Sequence, residues 1–256
     1  DNNQVPASKR LFMTATPRLF KSHVTKKAGE AGIEVVSMDD YDVFGPVFYS
    51  LSFGDAIEQK LLSDYQVVVV GVDDSVCSEM ISNRRLIETE NQITTDAESL
   101  ASHIGLAKAI KNYDLHRVIT FHSRVKSAEI FHKDFADVID WIPHEKRPSG
   151  VLTTNYVSGG MNTAQRNRNL KQLADIKNNE RAILSNARCL SEGVDLPTLD
   201  GIAFIDPRNS EIDIVQALGR VIRLSARKEV GTIIIPVFIA PHDDPEEVLN
   251  TSVFKK

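Results

Sequence analysis

Apolar residues along this chain gather into short, β-branched runs, and between the runs they recur at spacings of three and four. That alternation predicts parallel βαβ units. Residues 66–72, 117–121, 151–157, 181–185, 201–205 and 231–239 read as strands. The first of these is a continuous Val-rich run, the pattern expected of a strand buried on both faces. Helical spacing predicts helices over 96–111 (capped by Thr95 or Asp96), about 126–137, 163–175 and 212–222. The order predicts an α/β fold with a doubly wound, mostly parallel sheet flanked by helices. In such a sheet ligand contacts are expected at the carboxyl ends of the strands.

The stretch before residue 63 reads differently. Residues 10–13 make a short apolar run closed by Pro17, residues 46–52 alternate like a half-buried strand, and 54–62 has helical spacing. These strands lack the partners needed for a core. Residues 1–63 are therefore expected to be the trailing part of a preceding domain with its linker, and residues 64–256 the main domain. A polar, acidic insertion is expected near 73–95. The chain is expected to be an excised piece of a longer protein.

Composition narrows the class of protein. No apolar run is long enough to span a bilayer, and residues 1–10 are polar, so neither a membrane partner nor a secretory signal is visible. Cys77 and Cys189 have no disulfide or metal-ligand spacing, which points to a reducing, cytoplasmic setting. The histidines show no HxxxH or HExxH pattern, so no metal site is expected in this chain. A net charge of −5 excludes a globally basic nucleic-acid coat protein. It leaves room for a local basic stripe. Arg166, Arg168 and Lys171 could contribute to one, although a solvated helix face accounts for them as well. Trp141, beside Ile142 and Pro143, could stack a base, but partial core burial explains it more simply.

The densest chemistry lies at Gln216-Ala217-Leu218-Gly219-Arg220-Val221-Ile222-Arg223. On a continuous helix, Gln216, Gly219, Arg220 and Arg223 share one face. Gly219 clears bulk between the glutamine and the arginines, so that another surface can approach. A glutamine with two guanidinium groups suits stabilisation of a transferring phosphoryl group. The plainer alternative is a solvated helix face. A second cluster, residues 185–197, follows a strand and contains Asn186, Arg188, Ser191, Gly193 and Asp195. Its donors suit a phosphodiester backbone, and Asp195 could accept from a ribose hydroxyl. An ordinary surface loop is the alternative.

Together these segments resemble the superfamily 2 helicases. Residues 185–197 are similar to motif V and residues 216–223 to motif VI. Thr14-Ala15-Thr16-Pro17 resembles motif III, and residues 118–124 resemble motif IV. Ser158, Gly159 and Gly160 sit where the family places a further backbone-contacting element. The ordered set covers residues 11–223. It is similar to DEAD/DEAH-type helicases and translocases, restriction-enzyme motor subunits among them. The resemblance implies a RecA-like second lobe preceded by the end of a first. It implies that Arg220 and Arg223 are arginine fingers for the γ-phosphate of ATP, with Gln216 beside them and Gly193 and Asp195 on the ribose side. It implies that Ser123, Arg124, Ser158, Gly159, Asn186 and Arg188 line a DNA or RNA backbone, and that Thr14 and Thr16 couple the two sites.

The departures are specific. No G-x-x-x-x-G-K-S/T loop and no acidic box for Mg2+ occurs in the chain. ATP and Mg2+ are thus expected to be bound mainly by an upstream RecA-like lobe of the same protein, and this chain alone is expected to be inactive. Rival readings are a double-strand translocase subunit of a restriction or remodelling complex and a non-catalytic doubly wound binding module. A dinucleotide-binding oxidoreductase is disfavoured, since no G-x-G-x-x-G follows any strand.

Overall fold

The computed structural model describes the chain apart from residues 1–5, 21, 34, 74, 78, 80–96, 188–195, 208–209, 227, 241–242, 245–246 and 249–256. The chain divides into two units, Asp1–Ser52 and Phe53–Lys256.

In the first unit the described elements are the helices α1 (Ser22–Glu30) and α2 (Tyr41–Phe44). Asp40 caps α2, its carboxylate accepting from the backbone N–H groups of Asp42 and Val43. Arg18 and Met38 bring two extended stretches together: the Met38 N–H donates to the Arg18 carbonyl, and the Phe20 N–H to Ser37 Oγ. The strands expected at 10–13 and 46–52 are not formed. A strand forms where a second run pairs its N–H and C=O groups in a ladder, and no strand is assigned among the described residues of this unit. Their side chains are correspondingly open, with Met13 84% and Val47 83% exposed.

The second unit opens with α3 (Phe53–Glu58) and continues through β1 (Asp64–Asp73), α4 (Ala97–Asn112), β2 (Arg117–His122), α5 (Val125–Trp141), β3 (Val151–Ser158), α6 (Thr163–Ala174), β4 (Glu180–Ala187), β5 (Gly201–Phe204), α7 (Glu211–Val221) and β6 (Val230–Ile239). The strands form one sheet in the order β1-β6-β5-β2-β4-β3, with every pair parallel. The chain steps one way across the sheet from β1 to β2 to β3, then the other way through β4 and β5 to β6. Right-handed crossovers place the helices of the two runs on opposite faces. Accordingly α4 and α5 pack on one face, where Leu106, Ile110, Phe131 and Phe135 meet Val118, Ile183 and Ile234. On the other face α6 and α7 bring Leu173, Ala217 and Val221 against Ile119, Leu184, Ile202 and Ile233. The doubly wound sheet is as the sequence pattern predicted.

The central strands β2, β4 and β5 are buried almost throughout, which explains their unbroken apolar runs. β1 departs from expectation. It is an edge strand buried on one face only: Val68, Val70 and Val72 turn inward, while Val67 is 55% exposed. A Val-rich run reads the same whether one face or two is covered, so the pattern alone did not reveal the edge. Pro236, inside β6, loses no sheet hydrogen bond to β5, because β5 pairs with β6 only as far as Ile234. The Thr95–Asp96 cap lies outside the described residues.

Candidate nucleotide and nucleic-acid sites at opposite sheet edges

The residues singled out in the sequence separate into two groups. Ser123 and Arg124 follow β2, Ser158 and Gly159 close β3, and Asn186 lies in the last turn of β4. All five therefore sit at the carboxyl edge of the sheet. Asn186 and Ser158 are buried there, at 2% and 5% exposure, so their side chains face the fold. Gly159 and Arg124 are exposed. Ser123 is engaged from within: its N–H and its hydroxyl both donate to one carboxylate oxygen of Asp206, at 2.6 and 2.7 Å. Asp206 was not singled out in the sequence. Its signal was weak, a lone acid directly after a short apolar run, and only the pairing of β2 with β5 brings it to Ser123. With both Ser123 donors committed to Asp206, that serine fixes the loop, and Arg124 is the cation it presents. Beneath the edge, Thr120 Oγ1 lies 2.9 Å from His122 Nε2 and donates to Ser185 Oγ at 3.1 Å. This buried polar chain ties β2 to β4. Arg188, Gly193 and Asp195 lie outside the described residues.

Arg220 and Arg223 belong to the other edge. α7 runs antiparallel to the strands, so its last turn arrives at their amino ends. Ser210 starts the helix, accepting from the Asp213 N–H. The helix ends at Val221, and Arg223 lies beyond it in an isolated bridge with Leu62, just ahead of β1. The Ser63 N–H donates to the Ile222 carbonyl at the same place. The expectation of one helical face carrying both arginines is corrected to a helix end followed by a pinned turn. The reason is local. Lys228 Nζ donates to the carbonyls of Val221 and Leu199, stopping the helix and tying it to the start of β5. Gly231 lets β6 begin directly under that turn, since a Cβ there would lie 2.6 Å from the Val221 carbonyl oxygen.

Electrostatically this helix end is unusual. Arg220 is 7% exposed. Burial, and after it the positive charge of Arg223, holds its guanidinium below the ordinary arginine range. Lys228 is pushed down to about 8, mainly by burial, with Asp200 opposing and Arg223 adding to the shift. Like charges brought together in a desolvated place disfavour each other, and an arriving anion relieves both costs. Gln216 is half-buried on α7, two turns back from Arg223. Gly219, in the same helix, has open space where a Cβ would project. The lobe's own packing therefore gives no reason for a glycine in the middle of a helix.

Thr14 and Thr16 lie in the first unit, where Thr14 Oγ1 donates to the Thr16 carbonyl and accepts from the Thr16 N–H at 3.1 Å. This turn fixes their local backbone. Among the described residues no group of three or more His, Cys, Asp or Glu side chains could hold a metal ion. No helix among them is long and apolar enough to cross a membrane.

Comparison with known proteins gives this geometry its class. Residues 101–225 match the family model described as the helicase conserved C-terminal domain. The fold is also shared with the solved structure of an ATP-dependent Type ISP restriction-modification enzyme, LlaBIII, bound to DNA. The likeness has a TM-score of 0.72 at 31% identity and covers 87% of this chain and 15% of that one. A putative HsdR subunit of a type I restriction enzyme from Vibrio vulnificus shares the fold at a TM-score of 0.51 and 20% identity, over 79% of this chain and 38% of that one. Among curated proteins, a probable helicase of African swine fever virus is 27% identical over 230 residues, which is 89% of this chain and 22% of the viral protein. Residues 101–225 thus carry a helicase conserved C-terminal domain, set in a RecA-like parallel sheet. The chain spans about a fifth of the curated relatives it matches.

Proposed function

We propose that this chain is the C-terminal motor lobe of a larger ATP-driven protein that moves on DNA or RNA. The observation that carries the reading is the Arg220–Arg223 pair, a buried guanidinium at a helix end with the positive charge of Arg223 set against it. A polyphosphate fits that charge. When ATP is bound between this lobe and an upstream RecA-like lobe, Arg220 and Arg223 reach its γ-phosphate and hold the charge that grows there during hydrolysis. Gln216 orients the same phosphate or the attacking water. Gly219 leaves room for the other lobe to close on α7. Gly193 and Asp195 contact the ribose side. Mg2+ coordination is assigned to the upstream lobe, which would also supply the phosphate-binding loop absent from this sequence. Residues 1–63 are the trailing part of that lobe and its linker, and Thr14 and Thr16 couple nucleotide state to grip.

At the opposite edge Arg124, held in place through Ser123 and Asp206, takes a phosphate of the nucleic-acid backbone, joined by Gly159 and Arg188. Ser158 and Asn186 support these loops from within the fold. Such contacts grip without reading sequence. Opening and closing of the cleft then moves this edge relative to the upstream lobe. The likeness to a restriction–modification enzyme favours a second reading, in which the motor serves a restriction complex and travels on duplex DNA without separating strands. The expected setting is the cytoplasm.

ATP hydrolysis by the full-length protein is expected to rise when DNA or RNA is added, while the 256-residue chain alone hydrolyses none. A Mg2+-dependent rate from the isolated chain, or a full-length rate indifferent to both polymers, would overturn the proposal. Strand displacement by the full-length protein decides between the two motor readings.

A further inference from the structure

A cavity of about 450 Å3 lies away from both candidate sites, where the last turns of α4 and α5 diverge. Its wall is apolar: Ile104 of α4, Trp141 at the end of α5, and Ile142 and Pro143 in the turn that follows. Trp141 packs from behind on the core around Val72, Leu100 and Val138, which fixes the indole in the wall. Around the mouth stand Lys108, Lys111 and Lys146, against Glu79 as the lining acid. Lys111 Nζ donates to the Glu145 carbonyl and so fastens the turn bearing Pro143 and Lys146 onto α4. The whole chain is acidic, with a net charge of −5, yet this mouth is locally basic. Nothing in the motor chemistry proposed above uses it.

We propose that this cavity binds an acidic peptide segment that inserts one large aliphatic or aromatic side chain. The volume falls within the range of pockets that enclose small ligands or single anchoring side chains. An apolar wall takes the anchor, and lysine ammonium groups attract carboxylates without demanding a fixed geometry. A nucleotide fits less well. Of the described lining side chains, only Asn112 offers both a neutral donor and a neutral acceptor for a base edge, while the Trp141 indole can donate but not accept. Among the described residues no arginine lines the cavity to grip a phosphate in the two-pronged manner.

Trp141 is the one tryptophan of the chain, so its fluorescence reports on this cavity alone. The 256-residue chain is titrated with a tryptophan-free peptide carrying a central leucine between glutamates, with the same peptide bearing lysines in place of the glutamates, and with adenosine monophosphate. The expected result is a saturable change in Trp141 emission with the acidic peptide only. That binding should weaken by about tenfold or more in the Lys108→Glu, Lys146→Glu double variant and on raising salt. Lys146 is exposed and Lys108 half-buried, and an unchanged far-ultraviolet dichroism spectrum of the variant confirms that the fold persists. No saturable change with the acidic peptide, equal binding of both peptides, unaltered binding by the double variant, or a preference for adenosine monophosphate would each overturn the proposal.

Discussion

Among the described residues the amino edge of the sheet carries three buried arginines, and their surroundings differ. Arg117 and Arg181, at the starts of β2 and β4, are 6% and 4% exposed. Arg117 donates through Nε to the Ala174 carbonyl and through Nη2 to that of Ile176. Arg181 donates to the carbonyls of Ser149 and Leu115, to Ser149 Oγ and to the Asp114 carboxylate. Each guanidinium thereby fastens the connections entering or leaving the sheet. Arg220 is buried to a similar degree at the β5–β6 end of the same edge, and there the positive charge of Arg223 acts against its guanidinium. Burial alone does not separate a structural arginine from a functional one; a second cation set beside a buried one marks the latter.

Breaking the structural pair should cost stability first. Arg181→Met removes donors from two backbone carbonyls and the Asp114 carboxylate, and should lower the unfolding free energy by about 3–5 kcal/mol in urea denaturation. Its effect on ATP hydrolysis should follow only from the fraction unfolded. A loss smaller than about 1 kcal/mol would place Arg181 outside the structural class.

The next effect moves from the arginines to a buried histidine and to pH. His103, fully buried and stacked on Phe131 at 4.0 Å, is held down to about 4 by burial, against the partial opposition of its hydrogen bond to the Ser99 carbonyl. The unfolded chain takes up that proton near the ordinary value of 6.5, and the folded chain only near 4. Stability is therefore full above about pH 6.5 and declines as pH falls towards 4, by about 3 kcal/mol at most from this group. A His103→Phe variant should show a flatter stability curve across that window. An equally steep curve would move the acid sensitivity elsewhere.

The smallest effect tests the functional end. Gly219→Ala places a methyl group in open space and removes the helix penalty of glycine, so the folded lobe should gain up to about 1 kcal/mol. If another surface closes on α7 there, hydrolysis by the full-length protein should fall even as stability rises. A variant gaining stability at full activity would show that nothing approaches Gly219 closely.

Much of this was legible in the sequence, and the failures have physical causes. The central strands were found because burial on both faces leaves unbroken apolar runs such as residues 181–185. Helix α7 was found from its spacing, but its end was overrun by one residue, because the features that stop it lie outside the helix: the Lys228 ammonium and the bridge to Leu62. The alternation at 46–52 suggested a strand where no partner strand pairs with it. Asp206 escaped notice since its partner, Ser123, is remote in sequence and meets it only through the β2–β5 pairing. The carboxyl-edge rule placed Ser123, Arg124 and Gly159 where expected. It did not anticipate the arginine pair, since an antiparallel α7 delivers its last turn to the amino edge.

The most direct test of the account is ATP hydrolysis by the full-length protein carrying Arg220→Ala, measured alongside its unfolding midpoint. The account predicts a rate lower by on the order of 10³–10⁵, far more than any change in midpoint explains, with no rescue by Arg220→Lys. A rate within a few-fold of the unaltered protein, or a loss matched by unfolding as for Arg181, would contradict it.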